Sequence, residues 1–318
     1  MNTTPQPAWH SGGGLTKIAL IGCGEAAGAF VAGWGPDWAA RISAYDLKTD
    51  HQDPAVREAK QADYAALGVT GSASPADALE GAQIALSLVT ADQALAAAET
   101  AAQAIPEGCF YFDGNSCAPG TKRQAAALIE AAGGRYVDMA VMAPVYPKRH
   151  KTPLLLSGPH AQVGQAVLTA LEMVPDCAEG PVGVSSAIKM IRSVMVKGME
   201  ALFLECVLAG RRAGVDGIVL DSLEASFPGF GFKDRAAYNM ERVTTHGLRR
   251  AAEMREVAKT VQELGLSGGM AEATVAWQQA VGALGIEAAT VTGGVDQPDY
   301  SLLAEAILAG LAKQDDAA

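Results

Sequence analysis

One lysine lies near the start of a largely apolar stretch, SSAIKMIRSVMVKGMEALFLECVLAG, which covers residues 185–210. The pattern predicts a long helix with Lys189 in its first turn, where the positive end of the helix dipole disfavours an ammonium group. An amine whose pKa is lowered in this way can accept and return a proton near neutral pH, as a general acid/base does. The alternative is a surface lysine whose alkyl stem lies along an amphipathic helix.

A glycine-rich turn in the segment KIALIGCGEAAGAF, residues 17–30, points to a second kind of chemistry. It has the GxGxxA form of the dinucleotide-binding fingerprint, directly after a predicted strand and at the start of a predicted helix. The first glycine permits a tight turn, the second lets a pyrophosphate approach the backbone, and the small third residue lets helix and strand pack closely. A glycine-rich turn without a ligand is the alternative. The candidate cofactor-binding residues are Gly22, Gly24, Glu25, Ala26 and Ala27.

An acidic residue follows the second predicted strand, RISAYD, residues 41–46. At that place Asp46 would accept hydrogen bonds from the adenosine ribose of NAD. Lys48 lies two residues further on and could instead meet the 2′-phosphate of NADP. The sequence therefore predicts NAD or NADP as cofactor and favours NAD.

Polar residues also follow two later predicted strands. Asn115 and Ser116 come after the strand CFYFD (109–113), and Thr90 comes after IALSLV (84–89). In open α/β sheets, ligands bind beyond the carboxyl ends of the strands. Thr90 is predicted to border the nicotinamide ribose, with a helix N-cap as an equal alternative. For Asn115 and Ser116 the alternative is a turn that caps the next helix.

Strands and helices alternate through the first half of the chain, which is typical of βαβ units and a parallel sheet. The predicted strands are 17–22, 41–46, 84–89, 109–113, 135–142 and 153–158, and the predicted helices between them include 53–67, 91–104, 119–132 and 160–173. After residue 184 only helices are predicted, over 185–213, 216–226, 233–264, 268–284 and 299–312.

The predicted fold class is therefore α/β: an N-terminal Rossmann-type, doubly wound sheet followed by an all-α C-terminal domain. The predicted domains are a dinucleotide-binding domain over residues 15–184 and a helical substrate and dimerisation domain over 185–318, after a disordered tail over 1–14.

Composition excludes several classes of protein. A net charge of −11 argues against a general affinity for nucleic acid or an anionic membrane surface, because the phosphate contribution would be repulsive. There is no signal-peptide pattern and no run of about 18 apolar residues. The five cysteines have no CxxC or metal-ligand spacing, so a reducing cytoplasm is expected, without disulfides or a zinc site.

Several further segments appear in an order that resembles one family. DGNSCAPG (113–120) has an aspartate, small polar residues and a proline six positions after the aspartate. GGRYVDMAVMAP (133–144) and GPVGVSSAIK (180–189) follow, and Glu205 and Gly214 continue the register along the helix. Together with the glycine turn, these motifs resemble the 3-hydroxyisobutyrate and 6-phosphogluconate dehydrogenase superfamily over roughly residues 15–312.

The resemblance implies an NAD(P)-dependent dehydrogenase that transfers hydride between a nicotinamide and a hydroxy acid or related alcohol. Lys189 stands at the position of the family's catalytic lysine and would be the general acid/base. Asn115 and Ser116 would hold hydroxyl or carboxylate groups of the substrate. The all-α domains of this family pair, so a homodimer or homotetramer is expected.

The sequence departs from the family pattern in two places. Arg192 and Ser193 replace paired asparagines, which leaves Ser193 as a candidate hydrogen-bond donor to substrate. Met142, Ala143 and Pro144 replace the Ser-Gly-Gly turn that normally holds a small carboxylate. These changes indicate a divergent branch with a different substrate.

Three more candidate substrate-binding residues, Lys148, Arg149 and His246, follow from the same resemblance to the family. Lys148 and Arg149 belong to a basic cluster that follows the altered turn, so an anionic small-molecule substrate is expected, although such clusters are usually only solvated. His246 occupies roughly the place of a second family lysine. The alternative functions are an imine reductase, which retention of Lys189 argues against, and a catalytically silent nicotinamide-binding sensor.

Overall fold

The computed structural model describes residues 17–294 and 299–315, so the predicted tail over residues 1–14 lies outside the described residues. The chain forms two compact units, Met1–Met190 and Ile191–Ala318. The division falls within the helix Val184–Ala213, and the sequence predicts a domain boundary near the start of that helix. Each unit is described by itself below.

The first unit contains an eight-stranded sheet in the order β3-β2-β1-β4-β5-β6-β7-β8. The strands are β1 Ile18–Ile21, β2 Ile42–Tyr45, β3 Thr70–Gly71, β4 Ile84–Ser87, β5 Phe110–Asp113, β6 Arg135–Val141, β7 Pro153–Ser157 and β8 Val174–Cys177. The first six are parallel to one another, and the strand order reverses between β1 and β4. Such a reversal places a ligand crevice at the carboxyl ends of β1 and β4. The predicted doubly wound α/β domain is confirmed.

Helices cover both faces of this sheet. They are α1 Glu25–Trp34, α2 Pro36–Ala39, α3 Pro54–Leu67, α4 Pro75–Leu79, α5 Ala94–Ala102, α6 Pro119–Ala131 and α7 Ala161–Ala170. Alternate residues of each strand point to opposite faces, so Ile18 and Leu20 enter one apolar core with Phe30 of α1. Ala19 and Ile21 enter a second core, against α4, α5 and α6. Burial on both faces explains why the central strands are continuously apolar.

Two strands were missed, and one runs in a direction that the sequence did not predict. β3 is only two residues long, and both are exposed. β8 lies at the sheet edge and contains a proline and an aspartate. Neither strand therefore shows an apolar run in the sequence. β7 is antiparallel to β6. The connection between them holds only a short turn, Arg149–Lys151, whereas a parallel return would need a longer crossover.

In the second unit, the described residues form helices joined by short turns and no strand. Its elements are the continuation of α8 (Val184–Ala213), α9 Asp216–Ser226, α10 Phe232–Glu263, α11 Gly269–Gly282, α12 Ala288–Thr292 and α13 Tyr300–Asp315. Leu204 and Leu208 of α8, Met240 and Val243 of α10 and Leu303 of α13 share one apolar core. The predicted all-α domain is confirmed. Only α12 was missed, because five residues are too few to show a helical period.

Two glycines set the spacing between α10 and α11. A Cβ atom added to Gly247 would lie 2.5 Å from the carbonyl oxygen of Gln278 and 2.7 Å from Cα of Gly282. The two backbones therefore touch where a side chain would separate them.

We expect Gly247→Ala to lower the free energy of unfolding by about 1–3 kcal/mol, because the added methyl group forces the helices apart. Gly198→Ala is the matched control: its Cβ would meet only Thr274 Oγ1, at 3.9 Å. That variant should be stabilised by about 0.5–1 kcal/mol through helix propensity. Urea denaturation followed by circular dichroism measures both, and equal effects of the two substitutions would contradict the close helix contact.

Candidate functional site

The glycine turn after β1 has the geometry that a dinucleotide requires. Gly22 has a φ of +90°, and a Cβ atom there would lie 2.6 Å from the carbonyl oxygen of Leu88, so no other residue fits without backbone movement. Gly24 is the N-cap of α1 and has no side-chain cap, and a Cβ atom there would meet nothing within 4 Å. The first N–H groups of α1 are thus left for an anion, which is how such turns bind pyrophosphate.

The next three residues divide between solvent and core. Glu25 is exposed, Ala26 is partly buried, and Ala27 is completely buried in the core beneath α1. A larger side chain at Ala27 would push the helix from the sheet, which is why the fingerprint needs a small residue there.

Asp46 is held directly beside this turn. Its Oδ2 accepts the N–H of Cys23 at 2.9 Å, and its Oδ1 accepts the N–H of Lys48 at 3.0 Å. Each carboxylate oxygen keeps a second lone pair for another donor, such as a ribose hydroxyl. The side chain is therefore fixed where the sequence predicts contact with the adenosine ribose.

Lys189 contacts the predicted substrate segment. Its Nζ donates to Ser116 Oγ at 2.7 Å, and both side chains are partly buried. Two polar residues that lie 73 positions apart in sequence are thereby joined beyond the carboxyl end of β5. An amine and a hydroxyl in contact can hold a substrate oxygen and exchange a proton with it.

Ser116 contacts Lys189, whereas the side-chain amide of Asn115 bonds to the last residue of β4 and to Val89, two residues further on. Its Oδ1 accepts the N–H of Val89 at 2.6 Å, and its Nδ2 donates to Ser87 Oγ at 2.9 Å. These two bonds tie the end of β5 to the end of β4, and the residue is buried, with 4% of its surface exposed. It supports the segment that carries Ser116.

Beneath Ser116 lies a buried cluster of charges, formed by Asp113, Lys122 and Asp138, whose side chains are fully buried. Lys122 Nζ lies 2.8 Å from Asp113 Oδ1 and 3.5 Å from Asp138 Oδ1. Burial alone would lower the pKa of Lys122, but the adjacent carboxylates of Asp113 and Asp138 outweigh it and raise the pKa. Lys122 therefore stays charged and balances one of the two acids.

The second acid of this cluster is stabilised by the start of α8. Asp138 Oδ2 accepts the N–H groups of Gly183 at 3.0 Å and Ser186 at 3.2 Å, and Oδ1 accepts Ser186 Oγ at 2.6 Å. Backbone N–H groups at a helix N-terminus are favourable partners for a carboxylate. Ser186 is one helical turn before Lys189, so Asp138 fixes the turn from which the lysine projects.

The other acid of the cluster holds the opposite side of the contact. Asp113 Oδ1 accepts the N–H of Asn115 at 3.0 Å, and Asp113 Oδ2 accepts Tyr136 Oη at 2.6 Å. Burial, together with this carboxylate, raises the pKa of Tyr136 well above its ordinary value, so the phenol remains a donor. The segments that carry Lys189 and Ser116 are therefore both anchored to the cluster, through Ser186 and Asn115.

Thr90 is exposed and occupies the N-cap position of a short turn, Ala91–Gln93, after β4. The hydrogen bonds from the side chains of Gln93 and Thr90 lower the pKa of Asp92. The hydroxyl thus has a local partner, and its contact with a nicotinamide ribose stays a prediction.

Two of the remaining predicted substrate residues, Lys148 and Arg149, lie on the loop between β6 and β7. Lys148 and Arg149 are exposed, and Arg149 donates to the carbonyl oxygen of Ala32 at 3.4 Å, near the C-terminal end of α1. The next residue, His150, packs beside Trp34 of the same helix. The sequence could not show this because the loop has no periodic pattern.

Ser193 and His246 belong to the second unit, where Ser193 lies four residues after Lys189 on α8 and His246 lies on α10. Burial and the neighbouring cations Arg242, Arg249 and Arg250 lower the pKa of His246, so the imidazole is neutral near pH 7. Substrate contact by Ser193 and His246 stays a prediction.

Comparison with known proteins gives two family matches. The family described as the NAD binding domain of 6-phosphogluconate dehydrogenase matches residues 17–182, more than half of the 318 residues. The chain belongs to this family. A domain family of unknown function, DUF1932, matches residues 211–281, within the helical unit of this 6-phosphogluconate dehydrogenase-like chain. None of the helices in residues 17–294 and 299–315 has the length and apolar character needed to cross a membrane.

Solved structures extend the comparison over nearly the whole chain of this family member. A conserved hypothetical protein from Sinorhizobium meliloti is 36% identical, with a TM-score of 0.74, over 96% of this chain and 100% of that one. A conserved protein of unknown function, described as structurally similar to 3-hydroxyacid dehydrogenases, is 27% identical over 85% of this chain and 100% of that one, with a TM-score of 0.64.

A more distant structure shares the fold alone. It is the 3-hydroxyisobutyrate dehydrogenase from Mycobacterium tuberculosis, in a structure with L-serine, and it is 14% identical over 92% of this chain and 98% of that one, with a TM-score of 0.64. A search of curated proteins found no match. The predicted resemblance to the hydroxyisobutyrate and phosphogluconate dehydrogenases is confirmed, and the first unit is an NAD-binding domain.

Sequence reasoning missed the charged cluster as a part of the site. The available signal was an acid at the end of β5 and another, Asp138, inside the buried part of strand β6, since a charge in a buried strand needs a partner. No sequence rule pairs either acid with Lys122 or with the start of α8, because those contacts depend on tertiary structure.

We expect Asp138→Ala to lower the free energy of unfolding by about 3–5 kcal/mol, since it leaves buried donors without their acceptor. Asp53→Ala is the control, because Asp53 is an exposed N-cap that accepts the N–H of Ala55 at 2.9 Å. That loss should be about 1 kcal/mol. Urea unfolding of both variants measures these losses. Similar losses of unfolding free energy in the two variants would contradict the proposed contribution of the buried cluster to stability.

Proposed function

We propose that this protein is a nicotinamide-dependent oxidoreductase that transfers hydride between its cofactor and a hydroxy acid or related alcohol, with Lys189 as general acid/base. The contact between Lys189 Nζ and Ser116 Oγ, 2.7 Å long, carries this proposal. It lies beyond a strand end of an NAD-binding domain, where this type of sheet binds ligands.

The residues of the glycine turn fit a dinucleotide. The N–H groups at the start of α1 would bind the pyrophosphate, Gly22 and Gly24 would allow its close approach, and Asp46 would accept ribose hydroxyls. When bound, the nicotinamide supplies a ring that accepts or gives a hydride. The protein's own contribution is to orient the substrate and manage the proton.

Lys189 would manage that proton. As a neutral amine it would take the hydroxyl proton of the alcohol while the hydride leaves the carbon that bears that hydroxyl, which becomes a carbonyl carbon; as an ammonium it would return the proton in the reverse direction. Ser116 Oγ holds the amine by accepting from Nζ, and both could contact the substrate oxygen. Asn115 would act through its hold on this segment, since its amide already bonds to Val89 and Ser87.

A hydroxy acid or related alcohol is the proposed substrate class. The relatives described as 3-hydroxyisobutyrate dehydrogenase and as similar to 3-hydroxyacid dehydrogenases support it. The replaced Ser-Gly-Gly turn argues for a substrate that differs from hydroxyisobutyrate. Lys148 and Arg149 remain proposed partners for an anionic group.

We expect Lys189→Met to lower kcat by about 10²–10⁴-fold, because the proton loses its acceptor, while the Kd for NADH changes little. Absorbance of reduced nicotinamide with a panel of hydroxy acids measures the turnover. Lys197→Met, on the same helix and paired with Glu253 at 2.6 Å, is the control for loss of a lysine. Near wild-type turnover of Lys189→Met would refute the proposed mechanism.

We also propose NAD over NADP as the cofactor, because the fixed Asp46 carboxylate would repel a 2′-phosphate. Asp46→Asn should lower the ratio of the NADPH Kd to the NADH Kd by about tenfold, since it removes the negative charge. Asp50→Asn removes the same charge four residues away, where Asp50 accepts from Tyr45 Oη, and should leave the ratio nearly unchanged. Fluorescence titration gives both constants. A wild-type protein that binds NADPH more tightly would overturn the preference.

A further inference from the structure

A buried lysine contacts the cofactor turn from α3. Lys60 has a side chain only 5% exposed, and its Nζ donates to the carbonyl oxygen of Cys23 at 2.9 Å and to Asp63 Oδ2 at 2.8 Å. Cys23 lies between the two glycines of the fingerprint. The ammonium therefore lies behind the backbone segment that the proposed function assigns to the pyrophosphate.

Cys23 is also held by an acid, Asp46, through its backbone N–H. Cys23 N–H donates to Asp46 Oδ2 at 2.9 Å, so an ammonium holds the carbonyl of Cys23 and a carboxylate holds its N–H. The Cys23 side chain is buried, and burial raises the pKa of its thiol to about 11, so the thiol stays neutral. The turn is thus fixed by Asp46 on one side and Lys60 on the other.

The carbonyl that Lys60 holds belongs to the peptide whose N–H is that of Gly24. Gly24 is exposed and is the N-cap of α1 without a side-chain cap. Hydrogen bonds in series polarise one another, so a charged donor on the carbonyl makes the N–H of the same peptide a stronger donor. An anion at the start of α1 gains from this polarisation and from the positive charge behind it.

We propose that Lys60 is a positioning residue for the cofactor, which fixes the Cys23–Gly24 peptide and strengthens its hold on the pyrophosphate. This inference rests on the proposed function, since it requires a dinucleotide in the turn. It predicts that Lys60 matters for ligands that carry phosphate and matters little for the nucleoside alone.

Asp63 gives the proposal a second consequence. Its side chain is 59% exposed and lies on the solvent side of the Lys60 ammonium, which it partly neutralises. Without the Asp63 charge, more of the positive charge of Lys60 would act on the turn. Loss of Asp63 and loss of Lys60 should therefore change cofactor affinity in opposite directions.

The test is binding by the full-length protein, measured by NADH fluorescence, with ADP and adenosine as competitors. Lys60→Met should raise the Kd for NADH and for ADP about tenfold, while the Kd for adenosine changes less than about twofold. Lys233→Met, in the helical unit, removes the same charge from a lysine that is also paired with an aspartate, Asp221, at 2.6 Å, and should change each constant less than about twofold. Asp63→Asn should lower the Kd for NADH about two- to threefold.

The outcomes separate this inference from the proposed function. If the wild-type protein binds NADH and Lys60→Met binds it equally well, the role of Lys60 is refuted while the cofactor stands. If Lys60→Met weakens adenosine as much as NADH, the lysine only maintains the fold, and the inference also fails. If the wild-type protein binds no dinucleotide, both the proposed function and this inference are overturned.

Discussion

The buried cluster of Asp113, Lys122 and Asp138 is the interaction on which the candidate site depends. Two carboxylates and one ammonium without solvent leave one negative charge that must be compensated inside the protein. The N-terminal N–H groups at the start of α8 supply the compensation, because Asp138 accepts from Gly183 and Ser186. Because the buried Asp138 carboxylate needs these N–H groups, it fixes the position of the helix that carries Lys189.

The same arrangement explains why the reactive pair can be both polar and ordered. A lysine on a helix and a serine on a loop each have several rotatable bonds, and alone they would lose much conformational freedom in meeting. Here Ser186 is tied to Asp138, Asn115 is tied to Asp113, and Lys122 joins the two acids. The Lys189–Ser116 contact is thereby held by backbone segments that are already fixed.

The cofactor turn follows the same principle with different residues. Its backbone is constrained by the contact of Gly22 with Leu88 and by the opposite charges of Asp46 and Lys60 on Cys23. Both sites lie at the carboxyl ends of parallel strands, where short loops from neighbouring strands come together. Charged side chains beneath each loop fix its backbone and leave its outer groups for ligands.

The sequence by itself determined the elements and the ligand turn, because these depend on short-range patterns. The apolar runs predict six of the strands and nearly all the long helices, and the spacing of Gly22, Gly24 and Ala27 predicts the cofactor turn. Tertiary structure alone decided the direction of β7, the packing of Arg149 and His150 beside α1 and the partners of Asp113, Lys60 and Asp138. Those outcomes depend on which distant residues become neighbours and on where a buried charge finds its partner, and local pattern does not specify either.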